Sequence, residues 1–132
     1  MALDGRLDKA AVAEEETTGF DLDEALAIVE GDRGLLAQMA RLFEQESSGQ
    51  VAALREAVRQ GDGTGVALCA HTLKGVLQSL GAVAAAAAAW RVEQLGRVGA
   101  KDQLAEAAAA LDGELRRVRP YLASLVVQEA AT

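Results

Sequence analysis

The chain's only histidine, His71, lies in the stretch Ala70-His71-Thr72-Leu73-Lys74-Gly75-Val76-Leu77-Gln78-Ser79-Leu80-Gly81-Ala82. Placed on a helix at about 100° per residue, Val66, Ala70, Leu73, Leu77 and Leu80 make one apolar stripe that has to face a core. Measured from the middle of that stripe, His71 lies about 140° round the helix and Gly75 about 180°, so His71, Lys74, Gly75 and Gln78 share the outward side. An exposed imidazole titrates near pH ~6.5, so at neutral pH it is mostly a free nitrogen nucleophile, able to accept a phosphoryl group. Lys74, three residues on, comes within about 5–6 Å of it between Cβ atoms, close enough for its ammonium to meet phosphoryl oxygens. Gly75, one turn beyond His71, leaves a gap where another protein's backbone can approach the ring. A glycine there costs about 1 kcal/mol against alanine in a chain that uses alanine freely, which argues that it has a reason. Leu68, one turn before His71, falls on the same exposed side and suggests a small docking patch, with Gln78 a candidate for bonding a docked partner.

A helical hairpin turning at Gly81-Ala82 sets His71 level with Arg91, Val92 and Glu93 on the antiparallel neighbour, because rises of about 1.5 Å per residue cancel along the two arms. Glu93 is then a candidate orienter: its carboxylate can accept a hydrogen bond from one ring nitrogen and leave the other free to attack. The same carboxylate repels a bound phosphoryl group. Arg91 and Arg97 are the candidates to offset that repulsion, since a guanidinium can grip phosphate through two parallel hydrogen bonds. Taken without their neighbours, these three residues read equally well as solvated charges on a helix face, and a lone histidine as an ordinary surface side chain.

Positioning these groups requires helices, and the composition supplies little else. The 132 residues are rich in Ala, Leu, Val, Glu, Arg and Gln, with one proline and 3% aromatic residues, which implies one all-α domain with its own core. The single cysteine, Cys69, excludes an internal disulfide. With one histidine beside it, it cannot start a zinc site, so no metal is expected. No run reaches the roughly 18 apolar residues of a membrane span, and the acidic start lacks the features of a secretory signal, so a cytoplasmic protein is expected. Of the net charge of −7, all sits in residues 1–31, which carry two basic and nine acidic side chains, whereas residues 32–132 are neutral. That distribution offers no basic stripe for nucleic acid or membrane and leaves proteins as partners, with a monomer as the simpler state.

Residues 1–19 hold Glu14-Glu15-Glu16 without a sustained apolar period and read as a flexible acidic lead-in or linker; residues 20–132 form the domain. A short first helix is expected over Phe20 to Glu30, capped by Asp21 or Asp23, and a long second one from the Asp32 cap to about Gln60, with Ser47-Ser48-Gly49 as a weak point. The third helix is expected from a Thr64 cap to Leu80, and the fourth from Ala82 to about Val98, including the alanine run 84–89 and Trp90 as a core or rim aromatic. Gly96 and Gly99 loosen its end. The fifth runs from Lys101 to Arg119 with Leu104, Ala108, Leu111 and Leu115 inward, and Pro120 makes the rest a kinked continuation or a separate turn. Short connections between long amphipathic helices give an antiparallel four-helix bundle with a short extra N-terminal helix.

Ala70-His71-Thr72-Leu73-Lys74-Gly75 followed by Leu80-Gly81-Ala82 resembles the signature of histidine-containing phosphotransfer (HPt) domains. The likeness extends to Asp23 to Leu26, Gly31-Asp32 with Leu35-Leu36, Phe43, Gly61-Asp62 and Val92-Glu93, and covers about residues 20–122. It implies a four-helix bundle that shuttles phosphoryl groups between aspartates of response-regulator receiver domains, with His71 as acceptor, Lys74 as phosphate partner and Gly75 as clearance. It also implies a sensor or hybrid histidine kinase upstream and magnesium carried by the receiver. Val76 and Leu77 depart from the small polar residues common after the glycine, and Glu93 stands where some members carry an amide. No glycine-rich phosphate loop is present, so no nucleotide site, kinase activity or cofactor of its own is expected. The competing reading is a helical adaptor that binds a receiver or kinase through Leu68, His71 and Gly75 without chemistry, and whose binding is indifferent to loss of the imidazole.

Overall fold

The computed structural model describes residues 19–131 and places five helices: α1 (Leu22–Ile28), α2 (Arg33–Gln60), α3 (Gly63–Ser79), α4 (Val83–Val98) and α5 (Lys101–Ala131). The lead-in expected over residues 1–19 lies, apart from Gly19, outside the described residues. Asp21 rather than Asp23 caps α1, accepting from Glu24 N at 3.0 Å, and Asp32 caps α2, accepting from Leu35 N at 2.9 Å. The cap of α3 is Asp62, not Thr64: its Oδ1 accepts from Gly65 N at 3.0 Å, so the helix begins at Gly63. An aspartate two residues earlier outcompetes the threonine because the preceding helix ends in left-handed Gly61 and delivers Asp62 directly in the cap conformation.

The possible break at Ser47-Ser48-Gly49 does not occur; α2 is continuous, with Ser47 buried between Phe43 and Val51, whose burial pins the helix on both sides of the weak point. Gly96 does not loosen α4 either. It is buried inside the helix, and a Cβ there would stand 2.9 Å from Gly63 O and from Val66 Cγ1, so its role is to let α3 and α4 approach. α5 runs through Pro120 as a single helix. The ring removes the bond that would reach the Arg116 carbonyl, but Val118, Leu122 and Leu125 bury on the same face as Leu104, Ala107, Leu111 and Leu115 and hold the segment in place. The inward alanine of that stripe is thus Ala107 in place of Ala108, which is only half-buried.

The long helices pack in a closed ring, α2 on α3, α3 on α4, α4 on α5 and α5 on α2, while α1 lies against α2 and α3. Two- and three-residue connections at Gly61-Asp62, Leu80 to Ala82 and Gly99-Ala100 make successive helices antiparallel, so the molecule is a four-helix bundle with a short N-terminal helix. Val66, Ala70, Leu73, Leu77 and Leu80, the stripe read from the sequence, are all fully buried. The hairpin turn that fixes α3 against α4 is tied to the start of the chain: Asp21 N donates to Gly81 O at 2.8 Å, and Phe20 bridges to Ala82. Gly81 has φ +72°, and a Cβ there would fall 2.4 Å from Asp21 O, so both its backbone and its neighbour demand glycine. Phe20 also stacks on Tyr121 of α5, ring centroids 6.1 Å apart.

Candidate functional site

One turn of α3, His71 to Lys74, and one turn of α4, Glu93 to Arg97, meet at one charged cluster. His71 is 62% exposed at its side chain, on the face of α3 opposite the leucine stripe, and its Nδ1 lies 3.2 Å from Glu93 Oε2. Glu93 itself is buried, with 3% of its side chain exposed, because α4 directs it into the seam with α3. Two cations compensate the buried carboxylate. Arg97, one turn on, donates from Nη2 to Oε2 at 2.7 Å, and Lys74 Nζ sits 2.9 Å from Oε1. No aligned hydrogen bond reaches Oε1, so the Lys74 contact is held by charge more than by hydrogen-bond geometry.

The Arg97 guanidinium, and after it the Lys74 ammonium, hold the Glu93 carboxyl far below its ordinary value of 4.5, at about 2. At neutral pH that carboxylate is ionised and can only accept. The proton between it and the imidazole therefore belongs to Nδ1, which leaves the lone pair on Nε2 directed away from Glu93. Lys74 and Arg97 together outweigh Glu93 by one positive charge beside that free nitrogen. An electrophile carrying negative oxygens is what such a site favours.

The remaining sequence candidates divide. Gly75 is exposed, and a Cβ built on it would meet nothing within 4 Å, so the surface one turn beyond His71 is open. Leu68 is 66% exposed and, with Thr64, Ala67, Gly96 and Arg97, rims a depression against His71. Gln78 is exposed on the same face of α3. Lys74 departs from its expected outward placement: only 18% of its side chain is exposed, because the stem lies along the α3–α4 seam and the ammonium is drawn to Glu93. Arg91 is not part of the cluster. It sits two residues before Glu93, about 200° round the helix, and faces Glu106 of α5 at 3.8 Å.

From the sequence Thr64 was read only as a helix cap and Gly96 only as loosening the end of its helix, neither as part of the site, although the cost argument applied to Gly75 applies equally to a glycine inside α4. Trp90, expected as a core or rim aromatic, is 53% exposed, which excludes the core position. Of the two departures after Gly75, Leu77 is fully buried and Val76 packs partly buried against the core, so both serve the bundle and leave the cluster untouched.

Compared with known proteins, residues 38–121 match the family model of the Hpt domain, a span that contains every member of the cluster. No curated protein and no solved structure gives a significant match.

Proposed function

Because the chain belongs to the Hpt domain family, whose members are phosphotransfer carriers of two-component phosphorelays, we propose that His71 accepts a phosphoryl group from the aspartyl phosphate of a receiver domain and passes it to the aspartate of another. The observation that carries the reading is the exposed imidazole whose Nδ1 faces an ionised, buried carboxylate, so that Nε2 is the nucleophile. The Nε2 lone pair attacks phosphorus, the N–P bond forms, and the P–O bond to the aspartate breaks with its electron pair returning to that carboxylate. The ring keeps its Nδ1 proton, and the positive charge it acquires is stabilised by Glu93. Onward transfer is the same step reversed, with a second aspartate as nucleophile.

Lys74 is the proposed phosphate partner, exchanging Glu93 Oε1 for a phosphoryl oxygen, and Arg97 offsets the repulsion between that group and Glu93. Gly75 gives the receiver's backbone its clearance, with Leu68 and Gln78 at the contact. Magnesium is expected on the receiver, so this domain contributes a held nucleophile and positive charge, with no nucleotide site or kinase activity of its own. The same reading makes the protein a cytoplasmic monomer partnered by receivers and by a sensor or hybrid histidine kinase. No helix among the described residues is long and apolar enough to cross a membrane.

The test is labelling by a phosphorylated receiver. The unaltered chain should acquire an acid-labile, alkali-stable phosphate, as a phosphoramidate does, and His71→Gln should acquire none while keeping its helicity. Label that persists in that variant, or is lost in base as an acyl phosphate is, refutes the assignment. Receiver binding without any label would support the adaptor reading instead.

A further inference from the structure

Trp90 is the chain's only tryptophan, and it is half exposed on α4, as Leu68 of α3 and Val83 of α4 also are. Its place follows from contacts already described. Trp90, Glu93 and Arg97 stand at i, i+3 and i+7, so they share one face of α4. Glu93 on that face touches both His71 and Lys74 of α3. One turn nearer the start of α4, the antiparallel register sets Trp90 level with Lys74 to Leu77, the height of the open notch at Gly75. Val83, Ala87 and Trp90, at i, i+4 and i+7, are all exposed and form an apolar strip down that side of α4.

We infer that Trp90, with the strip behind it, is the anchor that seats a receiver domain on the α3–α4 face, gripping an apolar side chain next to the phosphorylated aspartate and so helping to set which receivers are served. The inference rests on the proposed phosphotransfer and extends the docking surface onto α4. Three observations support it. Trp90 shares a face of α4 with Glu93, which touches His71, so a partner that reaches His71 comes up beside that face. The notch at Gly75 is clear, with nothing, the indole included, within 4 Å of a Cβ built there. A half-exposed tryptophan also offers a large rigid surface at small entropic cost, which is why tryptophan dominates interface energetics.

A single tryptophan makes the test direct. When the full chain is titrated with a receiver that phosphorylates it, the indole emission should shift to the blue, and the non-acceptor His71→Gln variant should show the same shift. Trp90→Ala should raise KM for the phosphorylated receiver at least about tenfold while kcat stays within about twofold. Trp90→Phe should recover most of the loss, and Ile28→Ala, an exposed apolar residue on α1, should change nothing. Unchanged emission, a KM for Trp90→Ala close to that of the unaltered chain, or an equal loss in Ile28→Ala overturns the inference while leaving the labelled His71 in place. An unaltered chain that no receiver labels removes its premise and the inference with it.

Discussion

At the scale of single residues, Glu93 is the centre of the site. It is buried, touches His71 and two cations, and its ionisation decides which ring nitrogen is free. Its carboxyl is held at about 2 against an ordinary 4.5, a depressed value, so the stabilisation is complete above the ordinary value and disappears as pH falls through about 2. Urea unfolding at stepped pH should therefore show Glu93→Gln less stable than the unaltered chain by a constant margin, about 1–3 kcal/mol, from pH 7 down to about 4.5. The margin should close below that; closure already between pH 7 and 5 would contradict the assignment. Gln can keep a carbonyl at the Oε2 position but puts an amide nitrogen before Lys74, so labelling should survive in Glu93→Gln and drop about tenfold or more in Glu93→Ala, where nothing orients the ring. His71 and Glu93 were legible in the sequence, one from its motif and the other from hairpin arithmetic. The two arginines were not told apart, because that arithmetic gives height along α4 but not direction round it. Trp90 was read as a core or rim aromatic, and the sequence did not decide between them because the alanine run before it marks no distinct apolar face.

At the scale of elements, the glycines of α3 and α4 separate stability from function. Gly75 has open space around it and lies inside a helix, so Gly75→Ala should stabilise the protein by about 0.5–1 kcal/mol. In the proposed docking the same methyl would stand in the receiver's path, so transfer should fall; a variant that gains stability and transfers phosphate at the unaltered rate would remove the clearance role. Gly96→Ala should do the opposite to the fold. Its Cβ would press on Gly63 O and Val66 Cγ1, prising α3 from α4 at a cost of about 1–3 kcal/mol by thermal or urea unfolding. Helix interiors were legible because the apolar period of 3.6 is strong over Val66 to Leu80 and Leu104 to Leu115. The ends were less so: Asp62 and Thr64 are both good caps, and only the left-handed Gly61 before them decides which is used. Pro120 was read as leading to a kinked continuation or a separate turn because local propensity argues so, and two buried residues beyond it, Leu122 and Leu125, with the partly buried Val126, outweigh the lost hydrogen bond and keep the helix continuous.

At the scale of the whole molecule, a closed ring of four helices holds the α3–α4 seam rigid, and the site inherits its geometry from that ring. The chain's start is part of the frame, since Phe20 is buried against the α3–α4 turn and stacks on Tyr121. Phe20→Ala should cost about 3–5 kcal/mol in urea unfolding, in one cooperative transition, while the folded fraction still accepts phosphate at His71. An unaffected midpoint would mean that the start of the chain does not brace the bundle. The central claim, that Nε2 of His71 carries the phosphoryl group, is tested most directly by nitrogen-15 and phosphorus-31 NMR of the chain after incubation with a phosphorylated receiver. The account predicts one new phosphorus resonance coupled to Nε2 of His71 with the proton retained on Nδ1; coupling to Nδ1, or a chain that stays unphosphorylated beside every competent receiver, would contradict it.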